Sequence, residues 1–125
     1  MIVFDTHAWM EYFLDTKKAD KIEEYMNNDQ VATPILVLLE LSGKAEKEKW
    51  EIKKHIDFIK ANSIIINLSE EIIIKTGNIY SDIRKKIKYF GLIDANILTT
   101  AIINKCKLLT GDSHFKNLEN VEFLE

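Results

Sequence analysis

The stretch Ile2-Val3-Phe4-Asp5-Thr6 decides the fold. Three bulky apolar residues, two of them β-branched, predict a short, fully buried strand. A carboxylate stands at its carboxyl end, followed at once by a hydroxyl. Aspartate is almost never fully buried unless it is paired or holds a metal. In open α/β sheets, ligands bind just past the carboxyl ends of the strands. Taken alone, Asp5 or Thr6 also reads as a cap for the next helix. Three more acids in apolar settings, Glu40, Asp94 and Asp112, speak against capping as the whole account.

Working outward, Trp9, Tyr12 and Phe13 stand at i, i+3 and i+4, one helical face suited to core packing or a subunit contact. Lys17 to Asn28 predicts a mostly polar helix with Ile22, Tyr25 and Met26 inward, and Val31-Ala32-Thr33 a minimal strand. Pro34, the only proline, suits the first turn of the next helix. That helix, Ile35 to Glu46, continues helically from Lys47 to Ala61. Ser63 to Asn67 is a strand, and Ser69 caps a helix expected to run to about Lys88 and to bury Ile72, Ile79, Ile83 and Ile87. Gly91 precedes a helix from Leu92 to about Asn104. Leu108-Leu109-Thr110 and Val121 to Leu124 supply two last strands. Short apolar strands alternating with helices predict an α/β fold in three layers, a parallel sheet of four or five strands with helices on both faces. The whole span 1–125 is expected to form one domain.

Composition narrows the class. Hydrophobic content of 46% and charge of 30% describe an ordinary globular chain. The longest strictly apolar run, Ile35 to Leu39, is far below the ~18 residues of a membrane helix. No basic amino-terminal region precedes Asp5 and Glu11, so no signal peptide is expected. The single cysteine, Cys106, fits a reducing compartment, and the expected location is cytoplasmic. A net charge of −3 argues against a protein that coats nucleic acid generally. It leaves room for an enzyme that meets nucleic acid through metal ions.

The acids fall in a pattern. Asp5 and Asp112 both follow strand-length apolar runs, which places them along one edge of a parallel sheet. Glu40 has Leu36, Val37, Leu39 and Leu41 around it, so it is expected on or beside a buried helical stripe. Asp94 shares a face with Ile97, Leu98 and Ala101. Four carboxylates drawn together repel and resist ionisation unless a cation compensates. Oxygen donors without paired Cys or His suit hard ions, Mg²⁺ or Mn²⁺. Such an ion polarises phosphate oxygens and activates water for in-line attack.

The ordered set Asp5, Glu40, Asp94, Asp112 resembles the PIN-domain ribonucleases, especially the VapC-type toxins of toxin–antitoxin pairs. The stretches IVFDTHAW, TPILVLLELSGK and GLIDANILTTAIINKCKLLTGDSHF carry the resemblance and span nearly the whole chain. It implies Mg²⁺- or Mn²⁺-dependent cleavage of RNA, commonly as a homodimer, and neutralisation by a small antitoxin encoded alongside. Carried over position by position, the four acids become metal-binding and catalytic, with Thr6 and Thr110 as hydroxyls that orient water or carboxylate. Many family members have a further acid where this chain has His114, which is then an outer contact or a plain loop residue. Lys44, one turn beyond Glu40, is a candidate to pair with the acids or meet phosphate. His7 reads equally as a base or a first-turn residue, and His55 as structural. The run Arg84, Lys85, Lys86, Lys88 is either helix-end charge or a phosphate-contacting rim.

Two other classes compete. A receiver-type phosphoacceptor domain has similar length and acids at strand ends, but wants an acidic pair after the first strand and a Lys-Pro near the end. A catalytically silent PIN-like binding module would keep the fold and lose the chemistry. The complete acid quartet favours the nuclease.

Overall fold

Every residue of the first strand, β1 (Ile2–Phe4), is buried, as is every residue of β2 (Val31–Pro34). Successive strand side chains point to opposite faces, so an unbroken run of burial means that both faces are covered. The computed structural model describes all 125 residues. Its remaining elements are α1 (Thr6–Phe13), α2 (Ala19–Asn28), α3 (Ile35–Glu48), α4 (Ile52–Asn62), β3 (Ile64–Ile66), α5 (Glu70–Arg84), α6 (Leu92–Ile103), β4 (Lys107–Thr110) and β5 (Val121–Phe123). A 3₁₀ turn, Ser113–Phe115, lies between the last two strands.

The five strands form one sheet in the order β3-β2-β1-β4-β5. All neighbouring pairs are parallel, with Val3 opposite Ala32 on one side and Leu108 on the other. The expected α/β architecture is therefore the observed one, with the fifth strand present. The order runs one way from β1 to β2 and β3, then resumes on the other side with β4. That reversal leaves a crevice at the carboxyl ends of β1 and β4, where doubly wound sheets bind ligands.

The core is seated on Trp9. The indole is fully buried, donates from Nε1 to Thr33 Oγ at 3.1 Å, and stacks on Phe13 with ring centroids 5.7 Å apart. Phe58 of α4 meets the indole edge-on at 6.3 Å. A second aromatic pair, Phe90 and Phe115, closes the opposite end of the chain at 5.4 Å. His55 stacks on Trp50 at 4.5 Å and meets Phe13 edge-on at 4.6 Å, a packing role.

Several expectations about boundaries fail for local reasons. Helix α2 begins at Ala19, two residues late, after a turn in which Asp15 takes a left-handed conformation with φ 52°. Pro34 ends β2 with an extended ψ of 141° instead of opening α3, and pairs with Ile66 of the edge strand. The expected continuation of α3 breaks at Lys49, which is left-handed at φ 59°. The break lets Trp50 N–H close on the Ala45 carbonyl at 2.9 Å and brings its ring 5.9 Å from that of Phe13. Helix α5 stops at Arg84, where Lys86 and Ile87 N–H both turn back to the Ile83 carbonyl. Of its four expected buried isoleucines only Ile72 is fully buried. Leu39, expected beside the buried stripe, is 60% exposed.

Truncating Trp9 to alanine removes the largest buried side chain and leaves a cavity, at a cost of about 3–5 kcal/mol. For a domain of this size that is about a fifth or more of total stability. Urea unfolding followed by circular dichroism should show the loss for Trp9→Ala and a clearly smaller one for Trp9→Phe.

Candidate active site

Asp5 is held by the chain on either side of it. Strand β1 ends at Phe4, and Asp5 takes extended backbone at φ −87° and ψ −177°, the geometry of a helix cap. Its Oδ1 accepts the Ala8 N–H at 2.8 Å. The side chain is only 3% exposed. Burial pushes its pKa from the ordinary 3.8 up to about 7, against the pull of the Thr110 hydroxyl and the Ala8 amide; the negative charges of Asp112 and Glu40 push the same way as burial. One carboxylate thus satisfies both readings of the sequence: it caps α1 and it lies within a group of acids.

The other three acids arrive on separate elements. Glu40, on α3, accepts a hydrogen bond at Oε1 from the Thr6 hydroxyl, so the residue after Asp5 fixes the Glu40 rotamer. Burial raises the Glu40 pKa, opposed by Thr6 and by Lys44 and reinforced by Asp94 and Asp112. Asp94, in the first turn of α6, accepts the Gly91 N–H at 3.2 Å. Its pKa is raised by burial first and by Asp112, with the Gly91 amide and His114 acting against the rise. Asp112 follows β4, accepts the His114 N–H at 2.9 Å, and donates its own N–H to Thr110 Oγ at 3.0 Å. Thr110 therefore serves two acids at once.

All four acids line one crevice of about 220 Å³, together with Thr6, His7, Lys44 and the apolar Met10 and Ile97. Thr110 stands behind Asp5 and not in the crevice wall. His114 sits between two of the acids, with Nδ1 3.9 Å from Asp94 and 3.6 Å from Asp112. Those spacings are too long for hydrogen bonds and mark charge proximity. Lys44 makes no ion pair with the acids; its influence on Glu40 is through space.

The donor set fits a hard divalent cation. A buried carboxylate with its pKa near neutrality and three acidic neighbours makes an oxygen-rich donor set, with His7, Lys44 and His114 at its margins. As placed, no three His, Cys, Asp or Glu side chains are gathered closely enough to hold an ion among them. An open crevice is what an ion that keeps several of its waters needs. Asp5, Glu40, Asp94 and Asp112 are the residues that would hold it.

Residues 2–121 match the PIN domain family. The chain belongs to that family. No curated protein matches it by sequence. Among solved structures, the fold resembles a chain of a toxin–antitoxin complex from Klebsiella pneumoniae at 23% identity and TM-score 0.72, covering 98% of this chain and 96% of the other. It also resembles a chain of VapBC2 from Rickettsia felis, bound there to a DNA fragment from its promoter, at 22% identity and TM-score 0.78, with 99% and 98% covered. DNA-bound VapBC from Salmonella typhimurium gives 18% identity and TM-score 0.77, with 98% and 96% covered. At these identities the likeness is one of fold.

In this PIN domain a contact with no sequence signal, that of Lys18, lies beside the crevice. His7 Nε2 lies 3.3 Å from Glu11 Oε1, an i,i+4 spacing visible in the sequence, whereas Lys18 reaches the same place only through the tertiary fold. Burial lowers the His7 pKa, partly offset by Glu11. Both His7 and Lys18 crowd Gly111: a Cβ there would come 2.6 Å from His7 Cε1 and 3.0 Å from Lys18 Nζ. Glycine is needed at that point for close approach, with no unusual backbone angle.

The raised pKa of Asp5 sets a pH dependence for the metal-free protein. Unfolded, the group titrates near 3.8; folded, near about 7. Across that window the folded chain keeps a proton that the unfolded chain has lost, so stability falls as pH rises through it. The full shift corresponds to roughly 4 kcal/mol. Asp5→Asn keeps an Oδ1 acceptor for Ala8 and removes the ionisation. Thermal melts in EDTA should show the variant gaining on the parent between pH 5 and pH 8. A parent that gains on Asp5→Asn over that range contradicts a buried, charge-crowded Asp5.

Proposed function

We propose that this PIN domain is a Mg²⁺- or Mn²⁺-dependent endoribonuclease that hydrolyses RNA phosphodiester bonds, and that it is the toxin of a type II toxin–antitoxin pair. The observation that carries the reading is the meeting of four carboxylates, from four separate elements, in one crevice at the switch point of the sheet. Asp5, Asp94 and Asp112 each also cap a helical turn, and burial, reinforced by the neighbouring acids, raises the pKa of Asp5, Glu40 and Asp94. A divalent cation, when bound, supplies charge neutralisation at the scissile phosphate and a nucleophile drawn from water at neutral pH.

The chain's own residues prepare that chemistry. Ala8 N–H orients Asp5, the Thr6 hydroxyl orients Glu40 and Gly91 N–H orients Asp94, so three ligands are aimed before anything binds. Burial leaves Asp5 part-protonated near neutrality in the free protein, and positive charge in the crevice would favour its ionised form. Lys44 lines the same crevice, which supports a role for it at a phosphate oxygen.

The fold likeness to chains of toxin–antitoxin complexes supports a small antitoxin as partner. A homodimer is the assembly we propose. Its support is an apolar groove of about 280 Å³ between α3, α5 and α6, with Leu68, Ile73 and Leu92 exposed along it. The location we propose is the cytoplasm; no helix is long and apolar enough to cross a membrane.

Incubation with total RNA tests the activity. Fragments should form with Mg²⁺ or Mn²⁺ and not in EDTA. Because loss of even an outer-shell partner of a metal costs 10–100-fold, Asp94→Asn should cleave at least about 100-fold more slowly. Intact RNA under every condition, with the metal shown to bind, would leave a silent binding module. An Asp94→Asn variant as fast as its parent would remove the crevice from the chemistry.

A further inference from the structure

We propose that the connection between α5 and α6 is a landing rim for single-stranded RNA, on which Tyr89 stacks a base while Lys86 and Lys88 hold the flanking phosphates. The proposal rests on the ribonuclease reading and adds where the strand lies outside the crevice.

Four basic residues fall within Arg84 to Lys88 in a chain whose net charge is −3. Two of them have structural partners. Arg84 Nη1 donates to the Tyr80 hydroxyl at 2.9 Å and to the Phe90 carbonyl at 3.3 Å, and the guanidinium lies over the Tyr80 ring at 5.4 Å. Lys85 lies 3.6 Å from Asp82. Lys86 and Lys88 make no ion pair. Their charge is free for a ligand.

Tyr89 is 75% exposed, more than any other large apolar or aromatic side chain that reaches the surface. Folding gains nothing from a ring left in water. Lys88 Nζ sits 5.7 Å from its centroid, a cation over an aromatic face. The ring is nevertheless carried on a firm support, because the next residue, Phe90, is fully buried against Phe115. Arg84 ties down the Phe90 carbonyl from the other side. The backbone is thus pinned at Phe90, and Tyr89 is presented outward from the pin.

The rim adjoins the crevice at both of its anchors. Gly91, immediately after Phe90, caps the helix that carries Asp94 and donates to its carboxylate. Phe115 follows His114, which lies between Asp94 and Asp112. Five residues of chain place Tyr89 within ~18 Å of Asp94 at most. A crevice lined by carboxylates repels phosphate at long range, so a polyanion needs a positive foothold beside it. An exposed aromatic flanked by lysines is the combination that holds unpaired bases with little regard to sequence. In a duplex the bases are stacked on each other and unavailable to the ring.

Fluorescence anisotropy in EDTA reads the rim without cleavage. The probe is a labelled single-stranded RNA of about 12 nucleotides and mixed sequence, beside a hairpin of the same length. Tyr89→Ala should bind the single strand about tenfold more weakly than the parent, and Tyr89→Phe within about twofold of it. Lys86→Gln with Lys88→Gln should lower the slope of log affinity against log salt by about 1.4, two phosphates at ~0.7 each. The parent should prefer the single strand to the hairpin. Equal affinity of parent and Tyr89→Ala overturns the rim. So does a Tyr89→Ala variant whose RNA affinity is unchanged while its self-association or its hold on an acidic protein partner is lost. Total-RNA cleavage by the parent with Mg²⁺ separates the two readings: cleavage with no Tyr89 effect sinks the rim alone, and no cleavage sinks the nuclease.

Discussion

A carboxylate buried at the end of the central strand is the constraint on which the rest of this protein depends. Burying Asp5 costs free energy, and the surrounding structure reduces that cost without removing it. Ala8 N–H and the Thr110 hydroxyl stabilise the ionised form, while desolvation and two further acids oppose it, and the pKa settles at about 7. The strand order explains why the acids cannot avoid one another. With β1 at the point where the sheet changes direction, the residue after β1 and the turn after β4 are neighbours, and α3 and α6 begin close to the same edge. Topology therefore brings these four positions to one place, and the sequence puts a carboxylate at each.

The supporting hydrogen bonds share one economy of design: short-range partners in sequence aim long-range partners in space. Thr6 is next to Asp5 and steadies Glu40. Thr110 lies two residues before Asp112 and steadies both it and Asp5. Gly91 caps α6 and steadies Asp94 three residues on. Each acid is thus positioned by rigid backbone or by a β-branched hydroxyl with few rotamers, which is what a metal or phosphate site requires of its surroundings.

Much of this was legible in the chain itself. Buried strands announce themselves as short apolar runs: β1 is apolar throughout, and β2 and β4 have apolar pairs followed by a buried threonine. Asp94 was legible because α6 is buried nearly all round, so a carboxylate in its first turn has to face something particular. Backbone turns were the illegible part. The five residues with positive φ are Asp15, Lys49, Lys105, Asn117 and Asn120, and no glycine is among them. Pro34 misleads as punctuation here while Gly91 marks the start of α6 correctly, and the breaks after α3 and α5 pass unnoticed. Leu39 was misjudged because a helix that is apolar on most sides does not reveal which side meets the sheet. Lys18 had no sequence signal at all, since its approach to Gly111 exists only once α2 has packed.

The dual duty of Asp5 has one more consequence. Its backbone carbonyl accepts the N–H of Trp9 at 3.3 Å, and its side chain caps the same first turn. The indole at the centre of the core is thus wired through a single helical turn to the charge at the crevice. With Trp50 replaced by phenylalanine, Trp9 is a built-in optical reporter: its emission should follow the protonation of Asp5, with no label attached and no substrate present.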